Sequence, residues 1–326
     1  MNPIPISVVS GNYDRIQAIK AGQVPIEGCE VTYINSSPAQ TFHRLFTDHE
    51  FDVSEMSFST YMRARSKGGW PYLAVPVFLS RVFPHSSIYI RTGSGIEQPE
   101  DLKGRRIGIP NYHFTRGLCV RGMLQDEYGL RPEDCLWRIG GVDEPGGLQY
   151  LPMPAPKGVE AISIDPGKYL GAMPVEGEID AIITYTDPRV FTEKHPNIAR
   201  LFPDFRPAEQ DYFAKTGIFP IMHVLGIRES LLEAHPWIAN NIVAAFEEAK
   251  SLCMPSLVDL DALAVSLPWL VAEAEATMAL MGEDFWPYGV EKNKKTIQAQ
   301  IRWSHEQGIS DRIFQIEDLF YPTKSC

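Results

Sequence analysis

Short runs rich in β-branched and aromatic residues alternate with amphipathic stretches along this chain, and the alternation limits the possible fold more than any other feature. Runs of roughly four to eight such residues between turn signals predict strands. They comprise residues 6–10, 31–34, 72–78, 86–90, 106–109, 161–164, 181–185 and 222–227. Strands that alternate with helices favour an α/β fold with parallel sheets.

Two of the intervening stretches carry clear signals for the start or end of a helix. Ser37 is a predicted N-cap, Pro38 occupies the first helical position, and Gln40 completes a capping box. A further helix is predicted to begin near Thr115, which would cap it, and to end at Gly129. A longer helix is predicted from about residue 236 to residue 253, where apolar residues recur at the 3–4 spacing of one buried stripe.

Length and composition limit the class of protein. At about 100 to 200 residues per domain, 326 residues predict two domains. An apolar fraction of 44% is ordinary for a globular protein, and no run reaches the roughly 18 apolar residues of a membrane span. The net charge of −11 disfavours nucleic acid as a partner, so a bound anion would require arginines gathered in a cleft.

The N-terminal segment and the cysteines indicate where the chain works. Residues 1–10 show neither the basic region nor the long apolar run of an export signal. The five cysteines are odd in number and scattered, without a C-x-x-C pair, which disfavours a disulfide framework and a zinc site. We therefore expect a cytoplasmic protein, and a homo-oligomer on general frequency alone.

Two segments resemble signatures of the type 2 periplasmic-binding-protein fold. They are TGSGIEQPEDLKGRRIGIP at residues 92–110 and GEIDAII at residues 177–183. The resemblance implies a two-lobed α/β architecture, with lobe one from residues 1–90 and 221–326 and lobe two from residues 91–220. The ligand would lie in the cleft between the lobes. The Gly- and Pro-rich stretch 140–157 is predicted either to cover this cleft or to form a mobile surface loop.

Longer runs resemble the 4,5-dihydroxyphthalate decarboxylases, a family of aromatic degradation built on this scaffold. They are YDR at 13–15, EFDVSEMS at 50–57, PVFLSRVFPHS at 76–86, TGIFPIMH at 216–223 and DFWPYG at 284–289. The resemblance implies a carboxy-lyase that forms protocatechuate and carbon dioxide without an organic cofactor. Pro84, where a basic residue is expected, and residues 10–12 depart from the family and point to a related aromatic acid as an alternative substrate.

The chemistry of such a reaction defines what the protein must supply. Direct loss of carbon dioxide would leave a strongly basic aryl carbanion, so the ring carbon should be protonated first. The hydroxyl para to that carbon supplies the electrons, which removes the need for pyridoxal phosphate or thiamine. The site then needs a proton donor, an acceptor for the phenolic proton and cations for two carboxylates. Because the same fold also hosts transport proteins, a non-catalytic binding protein or sensor for a small anionic aromatic ligand is the alternative.

Arginines are the predicted carboxylate ligands, since a guanidinium binds a carboxylate through two parallel hydrogen bonds. Arg15 and Arg81 are the first choices because both lie just after predicted lobe-one strands. Arg116 and Arg121 of lobe two are the weaker candidates. For each of them the alternative is a surface or interlobe salt bridge.

Polar and aromatic side chains would complete the substrate pocket. Ser57, Ser59 and Thr115 are predicted to form an anion cradle at helix starts, with plain N-capping as the alternative. Tyr112 and His113 are predicted to stack on an aromatic substrate.

Four residues are the predicted acid and base groups. His85 and His223 flank predicted hinge strands and suit proton transfer, with a structural hinge histidine as the alternative. Glu55, at the end of a predicted strand 52–56, and Asp14 would accept the phenolic proton or orient a histidine; an acid at the position of Asp14 also suits a helix N-terminus. A metal site of His85, His223 and Glu55 has no ligand spacing to support it, so no metal is predicted.

Overall fold

The computed structural model describes residues 2–147 and 153–324 of the chain, which form two β-sheets covered by helices. The strands are β1 (Ile4–Ser10), β2 (Cys29–Asn35), β3 (Val53–Ser57), β4 (Tyr72–Arg81), β5 (Ile88–Arg91), β6 (Arg106–Ile109), β7 (Leu136–Ile139), β8 (Glu160–Ser163), β9 (Ala181–Ile183), β10 (Ile198–Arg200) and β11 (Ile221–Arg228). The α-helices are α1 (Gln17–Lys20), α2 (Pro38–Asp48), α3 (Phe58–Lys67), α4 (Thr115–Tyr128), α5 (Arg189–Thr192), α6 (Phe205–Thr216), α7 (Glu229–Ala234), α8 (Ile238–Cys253), α9 (Leu270–Met281) and α10 (Val290–Glu306). Every predicted strand overlaps one of these strands, which confirms the α/β class.

Sheet one has the strand order β2-β1-β3-β11-β4, and sheet two has the order β10-β5-β9-β6-β7-β8. The chain leaves sheet one after β4, builds sheet two, and returns with β11. The predicted lobe boundary at residue 90 falls within β5, and the boundary at residue 221 falls at the start of β11. A single apolar core extends through both sheets, and a smaller cluster packs beside β9.

Both sheets are mixed, so the prediction of parallel sheets is wrong for part of each. Strand β11 runs antiparallel to β3 and β4, and β5 runs antiparallel to β9 and β10. Parallel neighbours need a crossover connection within one sheet. Strands β5 and β11 instead enter directly from the other sheet, and that connection leaves them free to run the opposite way.

The predicted N-cap of α2 is confirmed, but the Gln40 side chain accepts from the Ser37 hydroxyl and does not complete the capping box, and the predicted cap of α4 is corrected. The Ser37 hydroxyl accepts the Gln40 N–H at 3.4 Å at the start of α2, and Gly129 ends α4 with φ of 66°. Thr115, however, is the first residue of α4, and Phe114 is its N-cap residue. The Thr115 hydroxyl bonds to serines of lobe one, and this contact takes the place of the predicted cap.

Among the described residues, no helix is long and apolar enough to cross a membrane. Residues 148–152 of the predicted cover loop lie outside the described residues, and its described parts contribute nothing to the cavity described below.

Candidate active site

A cavity of about 260 Å³ lies between the two sheets, at the ends of their strands. Its walls come from segments that follow β1, β2, β6 and β9, from the ends of β3 and β4, and from the start of β11. The lining residues are Tyr13, Pro38, Ala39, Phe42, Ser57, Ser80, Asn111, Phe114, Thr115, Arg116, Tyr185, Met222 and His223. Open α/β sheets bind ligands at the carboxyl ends of their strands, and this cavity occupies that position.

One wall of the cavity holds a buried carboxylate and an imidazole in direct contact. His223 Nδ1 lies 2.5 Å from Glu55 Oε1, and the Tyr13 hydroxyl donates to the same oxygen at 2.5 Å. The Gly11 N–H donates to Glu55 Oε2 at 2.7 Å. Glu55 is fully buried, whereas His223 faces the cavity. The carboxylate therefore engages Nδ1 and fixes the ring, leaving Nε2 as the nitrogen that can meet a ligand.

The surroundings of Glu55 keep it ionised. Burial alone would raise the pKa of Glu55, but the charge of His223 and hydrogen bonds from His223, Tyr13 and Gly11 together lower it. Burial and the nearby Glu55 carboxylate raise the pKa of Tyr13 far above its ordinary range, so Tyr13 stays a hydrogen-bond donor. The three side chains form a unit with one acceptor, Glu55, at its centre.

The register of sheet one creates this unit. His223 on β11 lies directly opposite Ser57 on β3, which makes Glu55, two residues earlier on the same face of β3, its diagonal neighbour. Glu55 is in the middle of β3, not at a strand end as predicted. Phe42 of α2 packs edge-on against the His223 ring, with 4.9 Å between ring centroids, and so fixes its position.

Helix N-termini supply another part of the cavity wall. Helices α2 and α4 begin at cavity-lining residues, and Ser57, the N-cap residue of α3, lines the cavity as well, so backbone N–H groups and positive dipole ends of three helices lie near it. The Ser57 hydroxyl lies 3.0 Å from that of Thr115, and the Ser59 hydroxyl lies 2.9 Å from it. This cluster joins β3 and α3 to α4 across the two sheets.

Arg116 is the cation of the cavity. Its guanidinium reaches the Ser87 hydroxyl at 3.4 Å, a long contact, and within the described chain no carboxylate lies at ion-pair distance from it. Burial lowers the pKa of the Arg116 guanidinium, although it stays protonated at neutral pH. A charge that is half-buried and weakly paired beside three helix N-termini is suited to binding a carboxylate.

The structure brings together part of the predicted site. Ser57, Thr115 and His223 line the cavity, Glu55 bonds to His223, and Ser59 bonds to Thr115. The simple N-capping alternative does not describe the serines and the threonine, because their hydroxyls bond to one another across the cleft.

Arg15, Arg81 and Asp14 do not line the cavity. The Arg15 guanidinium lies over the Trp286 ring, 3.9 Å from its centroid. It also pairs with Asp14 at 2.9 Å, and the Asp14 side chain is half exposed to solvent. Arg81 donates to the carbonyl oxygens of Phe219 at 2.7 Å and Pro287 at 3.3 Å. In place of the predicted substrate contacts, these arginines hold neighbouring loops together, and Arg81 joins the loop at residue 287 of lobe one to residue 219 at the end of lobe two.

Arg121, Tyr112, His113 and His85 also lie outside the cavity. Arg121 is buried under the Tyr112 ring, at 4.2 Å from its centroid, and donates to Gln307 and to the Tyr112 carbonyl. His113 is buried behind the Ser59 hydroxyl, which donates to the His113 carbonyl. His85 packs edge-on against two aromatic rings at 5.0 and 5.4 Å. The long or apolar side chains of this group fill the core beside the cavity.

In the part of the chain that the structure describes, no three histidine, cysteine or acidic side chains are grouped so that they could hold a metal ion. The set of His85, His223 and Glu55 is therefore not assembled there.

The placement of His85 leads to a prediction about acid stability. Burial lowers the pKa of His85 to about 4, below its ordinary value of about 6.5. Between these pH values the unfolded chain binds a proton that the folded chain does not, so the stability associated with His85 is complete above pH 6.5 and decreases as pH falls. Glu209, whose pKa burial raises to about 7, acts in the opposite direction.

We therefore expect the variant His85→Gln to lose part of the wild type's acid sensitivity. The free energy of unfolding, measured by urea titration from pH 7 to pH 4.5, should change with a slope that differs by up to about 1.4 kcal/mol per pH unit. Parallel curves for both proteins would show that His85 is charged in the folded state.

Three contributors to the cavity were given no role, or a minor one, by the sequence. Arg116 was ranked below Arg15 and Arg81, although its place directly after the predicted helix start at Thr115 was a signal for an anion site. Tyr13 precedes Asp14 and Arg15 in the run 13–15, and the sequence favours those two residues as site candidates. Tyr185 follows β9, and no pattern in the sequence distinguishes it from other exposed tyrosines.

An α/β fold of two sheets with a cavity between them is that of a periplasmic-binding-protein-like protein. Residues 26–142 match the family model described as ABC transporter, phosphonate, periplasmic substrate-binding protein. The alkanesulfonate-binding protein SsuA from Xanthomonas axonopodis pv. citri, bound to MOPS, has a TM-score of 0.54 at 12% identity and covers 99% of this chain and 100% of its own. A DSZB mutant in complex with biphenyl-2-sulfinic acid has a TM-score of 0.52 at 14% identity, covering 98% and 96%. These likenesses confirm the two-lobed fold.

The sequence relatives are more specific. The chain is 37% identical over 322 residues to the 4,5-dihydroxyphthalate decarboxylase of Comamonas testosteroni, covering 99% of this chain and 98% of that protein. It is 38% identical over 213 residues to the enzyme of the same name from Pseudomonas putida, covering 65% of this chain and 83% of that protein. The chain belongs to the 4,5-dihydroxyphthalate decarboxylase family, which confirms the resemblance and the carboxy-lyase class.

Proposed function

We propose that this protein converts 4,5-dihydroxyphthalate to protocatechuate and carbon dioxide by protonating a ring carbon. The observation that carries the proposal is the combination, in one cavity, of the Glu55–His223 acid–base pair with Arg116 and helix N-termini that are suited to anions. The names of the full-length relatives supply the substrate. The cavity volume of about 260 Å³ suits a single-ring substrate.

Substrate carboxylates bind at the helix N-termini. Arg116 pairs with one carboxylate, and backbone N–H groups at the starts of α3 and α4, with the Ser57 and Thr115 hydroxyls, accommodate the other. The apolar side chains of Phe42 and Phe114 face the ring. In this orientation the ring carbon that bears the leaving carboxylate faces His223.

His223 is the proton donor in this proposal. Its Nε2 transfers a proton to the ring carbon, and Glu55 holds the ring and balances the charge of its protonated form. Release of the para-hydroxyl proton to solvent water gives a cyclohexadienone that still carries the carboxylate. The carbon–carbon bond then breaks, its electron pair restores the aromatic ring and leaves a phenolate, and carbon dioxide departs. Uptake of a proton by the phenolate completes the product.

Asp14 has no part in this scheme, because it lies outside the cavity and pairs with Arg15. Glu55 orients His223 and does not reach the substrate, since its two oxygens are occupied by His223, Tyr13 and the Gly11 N–H.

The test is to incubate purified protein with 4,5-dihydroxyphthalate and to follow protocatechuate by chromatography, with and without a chelator. Formation of one protocatechuate per substrate consumed, unaffected by the chelator, is the expected result. Tight binding without turnover would instead favour a binding protein for anionic aromatics, and loss of turnover with the chelator would require a metal.

A further inference from the structure

The segment from residue 252 to residue 281 exposes an unusual amount of apolar surface. Leu260 is 80% exposed and Trp269 is 72% exposed. The other large apolar side chains exposed here are Leu252, Val258, Leu263, Val265, Leu267 and Leu280. We call residues 252–281 the apolar arm. Single exposed leucines are ordinary on a protein surface, but a concentration in one segment is not.

The middle of the apolar arm makes few contacts with its own chain. Residues 258–269 are all exposed, and their apolar side chains alternate with small or polar ones from residue 263 to residue 269. Within the described residues, the backbone N–H groups of Leu260 and of residues 262–266 donate to no protein acceptor. This alternation is typical of a segment whose apolar side chains pack on a surface, but the described residues provide no such surface.

Helix α9, which ends the apolar arm, is also more exposed than its apolar composition predicts. Its sequence LVAEAEATMALM is apolar on most sides, and a helix of that composition is normally buried. Only Ala274 is buried in the described chain. The ion pair of Glu273 with Arg206 of α6, at 2.7 Å, attaches the helix to the rest of the molecule.

The apolar arm has the size of one side of a subunit interface. It spans residues 252–281, and eight of its large apolar side chains are exposed by 36% to 80%. A standard interface involves about 20–30 residues and buries about 800 Å² on each partner.

The negative charge of the apolar arm and the residues next to it excludes some classes of partner. Residues 251–291 contain no lysine, arginine or histidine but several acidic residues, so an anionic membrane surface or a nucleic acid would be repelled. An apolar surface of this size costs about 25 cal/mol per Å² while it stays in water. A partner that is present at all times and in equal amount is a second copy of the same chain.

We propose that the apolar arm is the interface between two copies of this protein, related by two-fold symmetry. In such an interface the same surface meets itself, which a patch of interspersed leucine, valine and tryptophan side chains permits. Residues 258–269 of one copy lie against those of the other, and the unpaired backbone N–H groups gain partners there.

The test compares the full-length wild type with the variant Leu260→Glu/Trp269→Glu and the control Ile313→Glu. Ile313 is 59% exposed but lies outside the apolar arm. At micromolar concentration, sedimentation should give the wild type and the control a mass of at least twice 36.6 kDa, and the double variant a mass of 36.6 kDa. Each substitution adds charge at an exposed side chain, so the fold of the subunit is kept and circular dichroism should be unchanged.

Hydrogen exchange provides a second measurement on the same proteins. Amides of residues 262–266 should be protected in the wild type and exchange rapidly in the double variant, because the only partner that can protect them is another copy. A wild type of 36.6 kDa, a double variant that keeps the wild-type mass, or binding of the wild type to lipid vesicles without self-association would each overturn the proposal.

Discussion

The variant His223→Gln is expected to lower kcat on 4,5-dihydroxyphthalate by about 10²–10⁴-fold while changing KM little. General acid catalysis by a positioned side chain contributes about that factor, and glutamine keeps a hydrogen-bonding group at the same place without a titratable proton. The measurement is the steady-state rate of protocatechuate formation. The reason for the small change in KM is that the proposed ligands of the carboxylates are Arg116 and the helix N-termini, and His223 is not among them.

Two further variants separate chemistry from general disturbance. His43 is exposed on α2, next to Phe42 in sequence, so His43→Gln should keep wild-type kinetics. Glu55→Gln removes the charge that supports His223 but keeps the hydrogen-bonding shape, so it should lower kcat by a smaller factor than His223→Gln. An unchanged kcat in His223→Gln would remove His223 as the proton donor.

The variant Arg116→Gln is expected to raise KM by about 10–100-fold, with a smaller effect on kcat. A hydrogen bond to a charged group contributes about 1.5–3 kcal/mol, which corresponds to this range. The expectation rests on the position of Arg116 in the cavity wall, where Ser87 is its one side-chain partner within hydrogen-bonding distance among the described residues. Initial rates over a range of substrate concentrations measure it.

Arg131→Gln serves as the matched control, since Arg131 is an exposed arginine outside the cavity. The same loss of charge at that position should leave KM within a factor of two or so of the wild type, as for most surface substitutions. If both variants raised KM equally, the effect would come from the charge of the whole protein and not from a contact with the substrate.

The fold could be predicted from the sequence where local signals decide it. The N-cap at Ser37, the αL glycine at Gly129 and the β-branched residues of β6 act over a few residues, and the structure has each of them. The direction of β11 could not be predicted, because it depends on which sheet the strand enters after α6. That choice is made by packing between residues far apart in sequence.

The site was predictable only in part, for a reason visible at Arg81. The runs that carry the family resemblance contact one another: Arg81 donates to the Pro287 carbonyl, and the Trp286 indole donates to the Phe78 carbonyl at 2.8 Å. A resemblance to a family therefore does not distinguish residues that make structural contacts from residues that take part in catalysis. The sequence does not distinguish an arginine that holds a loop from an arginine that binds a substrate, because the difference lies in their contacts. Arg116 lies outside the runs that carry the family resemblance, so the resemblance did not indicate it.

The pairing of β11 with β3 also has a consequence for how the enzyme becomes active. Glu55 and His223 are 168 residues apart, and they meet only after the whole of sheet two has been made and the chain has returned to sheet one. Contacts of such long sequence separation form slowly because loop closure must come first. The proposed proton donor, His223, is therefore in place only once β11 lies between β3 and β4, and we expect decarboxylase activity to appear late when the unfolded chain is refolded.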